Sequence, residues 1–171
     1  MAHHNEQDKS GRCFEQGQKA EDFFADIARS KGYQVQSANR FQETREHWDF
    51  LLVGKTQSFK VEVKSKKAFP VFHNGKKTFD WILVEFSGIT GHAGWMYGKA
   101  DHVAFEMDDH FLSIPRTQLV ALAENLISTD RVSRKEEMLY KSYGRQGRQD
   151  EVGGVLVSDL LMYGNCWKWE K

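Results

Sequence analysis

Apolar side chains recur along this chain in two rhythms, and the change from one to the other marks out its elements. From 12 to 31, Phe14, Ala20, Phe23, Phe24, Ile27 and Ala28 return at three- and four-residue steps, which predicts a helix stopped by Gly32. Glu21 lies on the border of that apolar face. YQVQS at 33–37 then alternates as a short strand, and WDFLLV at 48–53 and SFKVEVKS at 58–65 flank the turn-like GKTQ, which predicts a hairpin. HNGKK at 73–77 carries an Asn-Gly turn signal and leads into DWILVEF at 80–86, apolar enough for a central strand of the sheet, buried on both faces. After a glycine-punctuated loop, DHVAFEM and FLSIP predict two further strands, and TQLVALAENLI at 117–127 a helix with a threonine cap. Residues 129–150 are polar and basic around a candidate strand in MLYKSY, and VGGVLV at 152–157 is a last strand that Ser158 or Asp159 turns into a helical segment. Trp167 and Trp169 alternate at strand spacing, as in a tail packed on the sheet or on a partner subunit.

This order predicts an α/β fold: a single domain with a mixed β-sheet core flanked by helices. A chain of 171 residues is long enough for one real core and short for two. The polar first stretch, 1–12, is expected to be a flexible N-terminus, with the domain proper at 13–171.

Composition narrows the class. Apolar residues at 40% and aromatics at 13% exceed what a disordered chain shows. The opening residues have no apolar run of the signal-peptide kind and no stretch approaches a membrane span, so a cytoplasmic protein without a membrane partner is expected. Cys13 and Cys166 stand far apart and outside any C-x-x-C spacing, which predicts two reduced thiols and neither a disulfide framework nor a zinc site. Basic and acidic residues balance at 24 each, so total charge says nothing for nucleic acid. Its distribution says more: residues 55–77 hold seven lysines against Glu62, and 131–148 hold six basic residues against Glu136 and Glu137. Charge runs are often only solvated faces.

The first of these stretches contains a chemical pattern. Alternation in SFKVEVKS separates Phe59, Val61 and Val63 from Lys60, Glu62 and Lys64. An acid and a lysine two apart are common on solvated sheet faces, so they mean little alone. Asp49 adds weight, because aspartate disfavours strand interiors and this one sits in an apolar strand expected to pair with 58–65. One register gathers Asp49, Glu62 and Lys64 within a few ångströms, a costly cluster unless a cation organises it. Two carboxylates with open coordination positions suit magnesium, and the Val63 carbonyl offers another oxygen. With Lys64 to orient or activate a water, this is equipment for phosphodiester hydrolysis.

Asp49 followed across a short hairpin by Glu62-Val63-Lys64, after GQKAEDFF, resembles the core motif of the PD-(D/E)XK nuclease superfamily, which includes Holliday junction resolvases, restriction endonucleases and phage nucleases. Trp48 stands where the family name has proline, a position at which the family varies. The resemblance implies a restriction endonuclease-like fold, with Asp49 and Glu62 as metal ligands and Lys64 acting on the nucleophilic water. It further implies that Glu21 binds a second metal or orders a water. GWMYGKADHVAFEM with FLSIPRTQLVAL, and SYGRQGRQDEVGGVLVSDLL, are similar to the second half of phage-encoded members, which makes Arg145 and Arg148 candidate phosphate contacts.

Lys66 and Lys67 extend the strand of Lys64 and are candidate DNA contacts, although an exposed strand end explains them as well. Lys99 is the best such candidate in the loop that also holds His92 and Tyr97. Trp81 and Trp95 are expected in the core. His47 has no second histidine at ligand spacing, and His3-His4 lies in the N-terminal stretch, so a histidine zinc enzyme is not expected. The expectation is therefore a Mg2+-dependent deoxyribonuclease, an endonuclease, in which Mn2+ also serves. Branched or phage DNA would be its substrate, in a bacterial or phage-infected cytoplasm, with a homodimer compatible. The alternative is a non-catalytic nucleic-acid-binding or structural interaction protein that retains the fold.

Overall fold

The computed structural model describes residues 11–171, so the expectations for His3 and His4, and for 1–12 up to residue 10, lie outside the described residues. In chain order the elements are α1 (Arg12–Ser30), β1 (Gln34–Ser37), β2 (Phe50–Val53), β3 (Ser58–Lys64), β4 (Val71–His73), β5 (Lys76–Thr78), β6 (Trp81–Ser87), β7 (His102–Glu106) and β8 (His110–Pro115). They continue with α2 (Arg116–Leu126), β9 (Arg131–Val132), β10 (Ser142–Tyr143), β11 (Glu151–Leu156), α3 (Val157–Tyr163) and β12 (Trp167–Glu170). This is an α/β chain with mixed sheets, as expected. Among the described residues no helix is long and apolar enough to cross a membrane, and both cysteines are free thiols.

The chain divides into two compact units. The first runs through Lys66 and adds Gly98–Ile114 and Trp167–Lys171. Its six-stranded sheet has the order β1-β2-β3-β7-β8-β12, antiparallel except where β3 and β7 run parallel at its centre, with β7 and β8 joined by a tight turn. The helix packs on this sheet for the reason its periodicity gives: Ala20, Phe24, Ala25, Ile27 and Ala28 share a core with Phe50, Leu52, Phe59, Val61, Val63, Phe111 and Trp169. Phe24 meets Phe111 edge to face at 5.3 Å and Trp169 at 5.1 Å. Phe23, one step round the helix, stays 44% exposed. The tryptophan tail packs on its own sheet as β12, where the Trp169 indole N–H donates to the Ser113 hydroxyl at 2.9 Å.

The second unit comprises Lys67–Tyr97 and Pro115–Cys166. Its four-stranded sheet has the order β6-β11-β10-β9, and β4 and β5 form a separate hairpin. Here one expectation is corrected. The 80–86 strand is not central to a single sheet; it pairs antiparallel with β11, far along the chain. Two adjacent glycines admit close neighbours on β11: a Cβ on Gly153 would lie 2.8 Å from Ile127 Cδ1, and one on Gly154 would lie 3.0 Å from the Trp81 ring. Trp81 and Trp95 are both buried, as expected. A second correction concerns α2: the residue preceding it is Pro115, with no side-chain cap, and Thr117 lies inside the first turn. At α3 the residue preceding the helix is Leu156, so Ser158 and Asp159 lie inside the first turn, from which the Asp159 carboxylate accepts the Leu156 N–H at 3.0 Å.

Phe24 is fully buried at the centre of the α1–sheet core. Phe24→Ala should therefore destabilise the protein by about 3–5 kcal/mol, whereas Phe23→Ala should cost about 1 kcal/mol or less. Equilibrium urea unfolding of the two variants measures the contrast.

Candidate active site

Three acidic side chains in the first unit are buried where burial of charge is expensive: Glu21 at 4%, Asp49 at 7% and Glu62 at 5% exposure. Each is delivered by an element with its own reason to form. Glu21 rides on α1, whose apolar stripe is pressed to the sheet, so the border position read from the sequence becomes a buried one. Glu62 and Lys64 lie on β3, and Asp49 lies at the mouth of β2 across the hairpin.

The entry of the chain into β2 fixes Asp49 on both sides. Its backbone N–H donates to Val61 O at 2.9 Å, and its carbonyl accepts the Ala38 N–H at 2.8 Å. The register also pairs Phe50 with Val61, so two consecutive residues meet one, as in a β-bulge, a feature that re-aims side chains. The Asp49 carboxylate then reaches along β3 and accepts the Val63 N–H through Oδ2 at 2.7 Å. A strand residue directs its N–H and C=O to the same side. The Val63 carbonyl therefore lies on the strand edge that the Asp49 carboxylate occupies.

The segment before Asp49 is braced. Lys99 Nζ bonds Glu46 Oε1 at 2.8 Å, its backbone N–H donates to Glu46 O, and the Trp48 indole N–H donates to Glu46 Oε2 at 2.8 Å. Trp48 itself is buried. The hydrogen bonds from Lys99 and Trp48 hold the Glu46 carboxyl below its usual range.

Electrostatics ties the four predicted residues together. Burial drives the Asp49 carboxyl well above the ordinary aspartate range, the Glu62 and Glu21 charges push it further up, and Lys64 and the Val63 N–H pull it back. Glu21 is raised mainly by burial, with the Glu62 charge adding to the shift and Lys64 opposing it. Lys64 forms an ion pair with Glu62. Glu21, Asp49, Glu62 and Lys64 thus lie within one electrostatic neighbourhood, the set read from the sequence.

His47, set aside in the sequence for want of a second histidine at ligand spacing, joins them. Burial pulls its imidazole pKa down, and it feels both Glu62 and Lys64. Its backbone sits in the left-handed region at φ 54°, uncommon for a non-glycine residue. The only sequence signal was its place two residues before Asp49.

Of the five candidate DNA contacts, two lie in the first unit and three in the second. Lys66 pairs with Asp108 at 2.8 Å, and Lys99 is engaged by Glu46 as described. Lys67, Arg145 and Arg148 belong to the second unit. There Arg145 clasps the buried Asp150 carboxylate through Nε and Nη2 at 2.7 and 2.6 Å, and Arg148 is half-buried with Nη1 enclosed.

The donor chemistry fits a hard divalent cation: two buried carboxylates that repel each other, a backbone carbonyl on the same edge, and a third carboxylate within electrostatic reach. Among the described residues no three His, Cys, Asp or Glu side chains form a ready metal cage.

Comparison of the chain with protein-family models, with curated proteins and with solved structures found no match.

The raised Asp49 pKa fixes the sign of a pH effect. The folded state retains the Asp49 proton to higher pH than the unfolded chain does, so this group's contribution to stability falls as pH rises above about 4. Asp49→Asn removes that titration and leaves an oxygen able to accept the Val63 N–H. Urea unfolding across pH should show the variant gaining on the native protein as pH rises. A difference independent of pH would place Asp49 outside the carboxylate cluster.

Proposed function

We propose that this chain is a metal-dependent nuclease that hydrolyses DNA phosphodiester bonds, with Asp49, Glu62 and Lys64 as its catalytic centre and Glu21 as a fourth member. The observation that carries this reading is the approach of the Asp49 carboxylate to Glu62 and Lys64 through its bond to the Val63 N–H. A restriction endonuclease-like arrangement is part of the same proposal: helix α1 brings a glutamate to a hairpin that carries an aspartate and an E-x-K strand.

On this reading Asp49, Glu62 and the Val63 carbonyl would hold magnesium or manganese, and Glu21 would hold a second ion or an ordered water. Such an ion supplies charge neutralisation at the phosphate and a more acidic water. The chain's own contributions are positional and protonic. Asp49 is held by its backbone on both sides and by the Val63 N–H, so its second carboxylate oxygen is oriented without further ordering cost. Lys64 neutralises Glu62 in the resting site and presents an ammonium where the attacking water must be oriented. Burial strengthens each of these interactions.

The test incubates purified protein with supercoiled plasmid, linear duplex, single strands and a four-way junction, in magnesium, in manganese and in EDTA. Metal-dependent cutting of at least one substrate is expected. Lys64→Ala should lower the rate by about 10²–10⁴-fold, and Asp49→Ala should abolish cleavage, with both variants still folded by circular dichroism. Absence of metal-dependent cutting on every substrate would defeat the proposal. Binding without cutting would favour the non-catalytic alternative.

A further inference from the structure

The two basic stretches of the sequence meet in the second unit, and they meet around phenylalanines. The β4–β5 hairpin packs against the helical turn at Lys135–Glu137. Lys135 Nζ lies 4.5 Å from the centre of the Phe69 ring, and the Arg134 guanidinium lies 6.0 Å from that of Phe72. Phe69 in turn packs on Trp81 at 5.2 Å and accepts its indole N–H at the backbone carbonyl, which ties the root of the hairpin to the four-stranded sheet.

Register sorts the hairpin's two faces. Val71, fully buried, is opposite Thr78, and His73 is opposite Lys76. Phe72 is opposite Lys77, on the other face, beneath Arg134. Phe79, two residues beyond Lys77, is 50% exposed. Asn74 and Gly75, both at positive φ, close the hairpin tightly and leave Lys76 and Lys77 exposed beside the turn. The acids of this surface are Glu136 and Glu137, the latter only 3.8 Å from Arg134, and Asp80 after Phe79. Among the described residues no carboxylate pairs with Lys76, Lys77 or Lys135.

We infer that this face, built from Phe72, Lys77, Phe79 and Arg134, with Lys76 exposed at the turn on its rim and Lys135 next to Arg134, is a docking surface for single-stranded DNA. Lysine and arginine match the phosphates in charge, and the exposed Phe79 ring offers a platform on which an unpaired base stacks. A duplex hides its base faces and would use only the charges, so the aromatic component favours a single strand. The inference rests on the nuclease proposal only for the choice of DNA; the surface needs no metal.

The experiment measures fluorescence anisotropy of a labelled mixed-sequence strand, alone and annealed to its complement, with the full chain in EDTA, where metal-dependent cleavage cannot intervene. The single strand should bind more tightly than the duplex, with affinity falling steeply as salt rises. Phe79→Ala should weaken single-strand binding by about fivefold or more, and Phe79→Trp should preserve it. Lys76→Glu/Lys77→Glu should weaken it further and flatten the salt dependence. These side chains are exposed, so folding should be unaffected, which circular dichroism checks. No binding of the single strand, or binding that Phe79→Ala and the double variant leave unchanged, would overturn the inference. Cleavage in magnesium is scored separately, so loss of this surface and loss of the nuclease reading give different results.

Discussion

The hydrogen bond from the Val63 N–H to the Asp49 carboxylate is the constraint on which the first unit's chemistry depends. It holds a buried carboxylate beside the strand that carries Glu62 and Lys64, against the desolvation and like-charge repulsion that raise the Asp49 pKa. A single hydrogen bond to a charged group contributes about 1.5–3 kcal/mol, which cannot hold such a cluster by itself. The rest comes from structure that has no freedom to yield: Asp49 bonded to Val61 and Ala38, and an adjacent segment locked by Glu46, Lys99 and Trp48. The apolar face of α1 adds its share by carrying Glu21 into a buried position that Glu21 alone would not favour.

What the sequence disclosed of this arrangement follows from how local its causes are. The α1 stripe, the β2–β3 hairpin and the tryptophan tail each depend on periodicity within a few residues, and each formed where that periodicity placed it. The gathering of Glu21, Asp49, Glu62 and Lys64 was legible because the hairpin brings two of its elements together with only a short turn between them. The partition into separate sheets was not legible. DWILVEF is apolar enough for any buried strand, and its partner is chosen by the Gly153-Gly154 step, whose packing against Ile127 and Trp81 depends on residues distant in the chain. His47 was set aside as a zinc ligand for want of a second histidine, and its place beside the carboxylates was not legible for a related reason: a left-handed residue two places before an aspartate leaves no periodic trace.

Lys99 shows how a residue type can mislead when its partner is remote. A lysine in a glycine-rich loop reads as a free cation, yet Glu46, fifty-three residues earlier, accepts both its ammonium and its backbone N–H. Its effect on Asp49 is mechanical: it steadies the segment from which Asp49 enters the sheet.

Pairing also bears on how a chain of zero formal charge would address the DNA proposed for it. Lys64, Lys66, Lys99 and Lys171 of the first unit each have a carboxylate partner, Glu62, Asp108, Glu46 and Glu106 respectively, so these cations are largely spent on internal order. In the second unit Arg145 is likewise committed, to Asp150. Among the described residues Lys76, Lys77 and Lys135 have no carboxylate partner; all three are exposed, and Lys135 lies over the Phe69 ring. Net charge therefore measures the wrong quantity. A phosphate competes poorly for an ammonium already held by a carboxylate and well for one held by a phenylalanine face, because the ring's attraction is weaker than an ion pair and leaves the cation accessible. On the proposed reading, the cations open to a nucleic-acid strand are those that lack a carboxylate, and the β4–β5 hairpin with Lys135 groups three of them beside exposed Phe79.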